Sequence, residues 1–261
     1  STCSPVPETY MEVLIALDAF KRASAGEVTV VMPYFGYARQ DRKSRARQPI
    51  TAKLMADLLQ VAGADRIVTL DLHAPQIQGF FDIPIDDLTA VSMIGQYFRS
   101  LHLSEEVVVV SPDHGGATRA RKLSDAIPGS TIAIIDKRRT KPNVSESLNI
   151  IGDVDGKICI VVDDIIDTGG SMIGGVELLY KKGAKDVYCA VSHGILSHDA
   201  VEKIHNSKVK EVVITNSITL PPEKRKEPKI KQISIGFMLA KTIEAIYKHK
   251  PVSELYQLFN D

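Results

Sequence analysis

Three things are scarce in this 261-residue chain: charge of one sign, cysteine, and long apolar runs. Basic and acidic side chains number 32 each. With no global imbalance, charge predicts neither nucleic acid nor a membrane surface as partner, and any electrostatic recognition must be local. No apolar run approaches the roughly 20 residues of a membrane span, and no signal-peptide pattern opens the chain, which starts at Ser1 without a methionine. The cysteines, Cys3, Cys159 and Cys189, are odd in number and lack metal-ligand spacing. Cys159 and Cys189 lie in apolar strand-like runs and read as buried core thiols in a reducing, cytoplasmic setting.

What is present is a 44% hydrophobic chain, long enough for one large or two ordinary domains. Apolar β-branched runs at 28–32, 66–70, 107–111, 131–135, 157–162, 186–192 and 211–215 alternate with amphipathic segments near 8–23, 51–62, 90–101, 116–126, 171–182, 198–205 and 234–248. Strands that are apolar throughout and separated by helices predict an α/β fold whose parallel sheets are covered on both faces. Segments 28–73 and 157–193 share the order strand, loop, helix, Gly-Ala, strand, His, with Gly63 and Gly183 each ten residues before His73 and His193. This faint repeat predicts two similar domains with specialised loops and a boundary near 88–92, which no linker-like composition marks; the expected domains are 1–90, joined by 248–261, and 91–247.

The loop of the second copy, "IVVDDIIDTGGSMI" (160–173), is the most informative stretch. A buried strand over 158–162 runs into three carboxylates, Asp163, Asp164 and Asp167, then a Thr-Gly-Gly-Ser turn and a helix from Ser171. Ligands of open α/β sheets sit beyond the carboxyl ends of the strands. The amides of Thr168, Gly169, Gly170 and Ser171 at a helix N-terminus suit a phosphate. Carboxylates would repel that phosphate unless the ligand also had a hydroxylated end. A sugar phosphate satisfies both, with Asp163 and Asp164 accepting from vicinal hydroxyls or holding Mg²⁺. The alternative is a solvated turn with N-capping side chains.

Four other stretches carry chemistry. "YFGYARQDRKSRARQPI" (34–50) sets Arg39, Arg42, Lys43, Arg45 and Arg47 within nine residues, a density that suits a triphosphate or a solvated charge run. "DLHAPQIQGFF" (71–81) places His73 just past a strand. "SPDHGG" (111–116) repeats the strand-to-glycine-turn logic, with Asp113 where a carboxylate can hold a cation; His114 and Arg119 read as surface or helix-packing residues. "DKRRTKPNVSESLN" (136–149) puts Lys137, Arg138, Arg139 and Lys141 on a polar segment that is either a closing loop or an exposed hairpin.

Together, in order, these five motifs closely resemble ribose-phosphate diphosphokinases, enzymes of the type I phosphoribosyltransferase-like fold, from about Val13 to the C-terminus. The resemblance implies transfer of the diphosphoryl group of Mg²⁺-ATP to the C1 hydroxyl of ribose 5-phosphate. It implies Lys137 as the catalytic lysine, and Arg39 and Gln40 as ATP-binding residues. Ribose 5-phosphate falls to Arg139, Asp163, Asp167, Thr168, Gly169, Gly170 and Ser171, and the Mg²⁺ complex to His73 and Asp113. It further implies a cytoplasmic homo-oligomer, commonly a hexamer, under phosphate or ADP control. A longer part before Ser4, bearing an adenine-binding segment offered to a neighbouring subunit, is also expected. Rival readings are a phosphoribosyltransferase, a non-catalytic regulatory relative and a plain phosphosugar-binding module.

Overall fold

A computed structural model describes residues 1–138 and 147–254. The chain forms two compact units, Ser1–Thr89 and Ala90–Asp261. In the first, α1 (Val6–Arg22) precedes β1 (Thr29–Val31), α2 (Thr51–Ala62), β2 (Arg66–Leu70), a 3₁₀ turn over Pro75–Phe80 and β3 (Ile85–Leu88). The sheet order is β1-β2-β3, all parallel. Its core joins Leu17, Met32, Leu59, Ile67 and Ile77. α2 stops where Gly63 turns left-handed at φ 111°, a backbone region that suits glycine at a helix end.

The second unit holds α3 (Val91–Ser100), β4 (Val107–Ser111), α4 (Ala117–Asp125), β5 (Thr131–Arg138), β6 (Ser147–Ile151), β7 (Ile158–Ile166), α5 (Gly170–Lys181), β8 (Asp186–Gly194), α6 (Ala200–Asn206), β9 (Glu211–Thr215), β10 (Ile230–Ile233) and α7 (Gly236–Tyr247). Seven strands lie in the order β10-β9-β8-β7-β4-β5-β6, parallel except for the antiparallel β5–β6 pair. Val108, Val110, Cys159, Val161, Cys189 and Val191 sit at the centre of its core. Burial pushes the Cys159 thiol up to about 12, so this cysteine is a packing residue.

The anticipated parallel sheets flanked by helices are present, and β1-α2-β2 and β7-α5-β8 are both parallel strand–helix–strand units. Two expectations need correction. The strand ahead of the acidic loop does not stop at residue 162: β7 continues to Ile166, because its pairing with β8 persists through Asp163–Val191, Ile165–His193 and Ile166–Gly194. The following helix starts at Gly170, one residue before the expected Ser171. Strands β3, β6 and β10 lie outside the apolar runs. β3 hides behind its acids, since Asp86 pairs with Arg66 at 2.7 Å and Asp87 accepts from Thr69 at 3.0 Å.

Candidate active site

Strand order decides which motifs of the second unit meet. β7, β4 and β5 are adjacent and parallel, so their carboxyl ends share one sheet edge. That edge gathers the 163–171 segment, the 112–116 turn and the 136–138 strand end. Lys137 lies on β5 opposite Leu148. Arg139, and most of the proposed closing loop, fall outside the described residues.

Because β7 continues, Asp163 and Asp164 sit on a strand rather than in a loop. Asp164 is buried and Asp163 half-buried, and the Asp163 carboxylate accepts from the Asp164 amide at 2.9 Å. Burial first, then the hydrogen bond and charge of Asp164, push Asp163 up to about 7; the Asp164 amide and Arg119 pull the other way. Arg119, in the first turn of α4, brings its guanidinium to 3.6 Å from Asp163 and 3.5 Å from Asp164. Of its two readings, surface or helix packing, the contact overturns the first and agrees with the second, since it ties α4 to β7. A basic side chain one turn into the helix that follows the neighbouring strand was the available signal, and only the strand order makes it meaningful.

The turn itself begins with Gly169 at φ 75°, where a side chain would be strained. No side chain caps α5. The first-turn amides of Gly170 and Ser171 therefore remain for a ligand at the positive end of the helix. Thr168, Gly170 and Ser171 are exposed, Gly169 is buried, and Asp167 is half-buried with its carboxylate held by the Ser197 hydroxyl.

In the 112–116 turn, Asp113 is exposed and accepts the Gly116 amide at 3.0 Å, while Ser111 donates to the Asp113 carbonyl at 2.6 Å. The turn is drawn to β5 by His114, whose Nε2 lies 3.1 Å from the buried Asp136 beside Lys137. That contact was also missed, although the exposure of His114 agrees with its surface reading.

In the first unit, Arg39, Gln40 and His73 are exposed. The basic loop is ordered around Gln48, whose Oε1 accepts from the Ser44 hydroxyl at 2.7 Å and from the Arg45 amide at 3.0 Å. Gln76, three residues after His73, donates to Asp41 at 3.0 Å, so the Arg39–Gln40 and His73 segments adjoin.

Among the described residues no three His, Cys, Asp or Glu side chains form a cation cage. Mg²⁺ usually keeps several waters and takes one or two carboxylates alongside substrate phosphates. The exposed Asp113 carboxylate is of the donor type that such a partly hydrated cation takes.

Comparison with known proteins covers both units. Residues 1–63 match the profile described as the N-terminal domain of ribose phosphate pyrophosphokinase, and 106–257 the one described as the phosphoribosyl synthetase-associated domain. The chain is 56% identical to a ribose-phosphate pyrophosphokinase of Bacillus subtilis and 57% to one of Bacillus caldolyticus, each over 98% of this chain and 80% of the relative. The crystal structure of phosphoribosylpyrophosphate synthetase from Mycobacterium smegmatis superposes with a TM-score of 0.89 at 44% identity, over 95% of this chain and 80% of that one.

Proposed function

Because the chain belongs to the ribose-phosphate pyrophosphokinase family, we propose that it transfers the diphosphoryl group of Mg²⁺-ATP to the C1 hydroxyl of ribose 5-phosphate, releasing AMP and 5-phosphoribosyl 1-diphosphate. One observation carries the substrate half of this reading: an uncapped helix start at Gly169–Gly170 directly follows the strand-borne Asp163–Asp164 pair. The amides of Thr168, Gly169, Gly170 and Ser171 take the 5-phosphate. Asp163, with Asp164, accepts from the ribose hydroxyls and fixes the ring, and Asp167 supports the turn.

The anomeric hydroxyl then attacks the β-phosphorus, and the bridging oxygen leaves with AMP. Such transfer asks the protein mainly for alignment and charge neutralisation. Arg39 and Gln40 hold the nucleotide, Lys137 and Arg139 stabilise charge on the moving group, and Asp113 and His73 meet the cation. Mg²⁺, when bound with ATP, screens the triphosphate. The division of labour makes 1–90 the nucleotide side and 91–247 the ribose-phosphate side; 248–254 group with the second unit, and 255–261 lie outside the described residues. The reading includes a cytoplasmic homo-oligomer, a hexamer, serving nucleotide biosynthesis without nucleic-acid or membrane partners. No described helix is long and apolar enough to cross a membrane.

The test is ³¹P NMR of the protein with Mg²⁺-ATP and ribose 5-phosphate. Sugar diphosphate resonances should appear together with AMP. ADP and orthophosphate without a sugar diphosphate would refute the reaction. Lys137→Ala should lower turnover at least about a hundredfold; a loss within about threefold, under roughly 1 kcal/mol, would remove Lys137 from its role.

A further inference from the structure

The phosphate loop is fastened from behind by the segment that follows β8. The Ile166 carbonyl accepts from the amides of Ile195 and Leu196 at 3.0 and 3.2 Å, and the Asp167 carbonyl from the Ser197 amide at 3.0 Å. The Thr168 carbonyl accepts from Lys203 Nζ at 3.3 Å. In a planar trans peptide, C=O and the following N–H point in opposite directions. Three successive carbonyls tied to the segment after β8 therefore turn the N–H groups of Asp167, Thr168 and Gly169 away from it, and successive backbone amides presented together suit an anion.

Ser197 contributes twice, because its hydroxyl also donates to Asp167 Oδ1. Lys203 is itself steadied by Asp199 at 2.8 Å. A side chain added at Gly169 would meet Ala200 at the start of α6. The fastening segment adopts a backbone that its residues rarely choose: Leu196 and His198 have φ of 51° and 53°. Leu196 is fully buried in the main core, which anchors that conformation.

We infer that Ser197, backed by Lys203, is a positioning residue for ribose 5-phosphate, acting through Asp167 to lock the loop amides in their anion-holding direction. This rests on the sugar-phosphate reading of the loop. Neither residue belongs to the acidic-glycine motif that the sequence singles out, and their work is visible only through the β7–β8 pairing.

Calorimetric binding of ribose 5-phosphate to the full chain, with a thermal melt of each variant, tests the assignment. Ser197→Ala should weaken binding about tenfold, the scale of one lost hydrogen bond to a charged group, and Ser197→Thr should restore most of it. Lys203→Met should weaken binding by a smaller factor. In turnover, Ser197→Ala should raise KM for ribose 5-phosphate far more than it lowers kcat. A lower melting temperature with unchanged affinity would overturn the inference, since that is the signature of a merely structural serine. If Ser197→Ala does not fold, Lys203→Met decides by the same readout. Absence of ribose 5-phosphate binding to the unaltered chain would bring down the ligand reading and this inference with it. Normal binding by both the unaltered chain and Ser197→Ala would remove the latch alone.

Discussion

The Arg119 guanidinium stands 3.5 Å from the Asp164 carboxylate, joining α4 to the central strand of the larger sheet. Asp164 is nearly inaccessible to solvent and Arg119 is only 19% exposed, so the contact lies largely out of water. Its effect extends to Asp163, whose proton affinity Arg119 holds down against burial and the neighbouring acid.

Asp163 should therefore titrate near neutrality. Carboxyl ¹³C NMR should place its midpoint at about 7, against an ordinary 3.8. An acid raised on folding binds more protons in the native than in the unfolded state between those two values. Its contribution to stability thus declines as pH rises from about 4 to about 7 and is level above that. The stability difference between the native chain and Asp163→Asn should follow this curve. A flat difference across the window would show that Asp163 titrates normally.

Removing Arg119 should raise that midpoint further. Arg119→Met keeps much of the side chain's bulk but no charge. It should cost about 1–3 kcal/mol by leaving buried acid groups less satisfied. Chemical denaturation checks the stability and carboxyl NMR the direction of the shift; a midpoint that falls would contradict the contact.

Gly169→Ala should separate folding from ligand binding. At φ 75° an alanine costs about 1–2 kcal/mol, whereas its Cβ would meet Ala200 only at ordinary contact distance. The melt should fall modestly. Ribose 5-phosphate affinity should fall more than about tenfold, as the loop rotates its amides to relieve the strain. Equal affinity would show that the loop conformation does not matter to the ligand.

Gly116→Ala should disturb the Asp113 turn. The new Cβ would lie 2.7 Å from Ser111 Oγ, the group that donates to the Asp113 carbonyl. Overpacking of this kind costs about 1–3 kcal/mol. Turnover should then require more Mg²⁺-ATP at half-saturation, while ribose 5-phosphate binding changes little. An unchanged Mg²⁺-ATP requirement would argue against a cation-linked role for Asp113.

Much of the fold could be read from periodicity. The runs at 66–70, 107–111 and 211–215 are strands with the boundaries expected, because buried parallel strands are apolar on both faces. β10 escaped because Lys231 and Gln232 make an edge strand look like part of a charged loop. The glycine turn ahead of α5 was legible as a turn at a helix start since local spacing alone creates it. Arg119 and Ser197 were not, because each depends on a neighbouring strand distant in sequence. Nor could periodicity tell that Asp163 and Asp164 remain in the ladder, because acids ordinarily mark a strand's end.

That ladder limits how the gene can change. β7 is hydrogen-bonded on both sides, to β4 and to β8, and its residues alternate between faces with a period of two. Insertion or deletion of one codon between Ile158 and Val162 would slide each acid into its neighbour's place or transfer the offset to the glycine turn. Point substitutions among the apolar residues leave that phase intact. Over this stretch, drift by replacement should be tolerated while drift in length is eliminated, a contrast that deep mutational scanning with single-codon indels would expose.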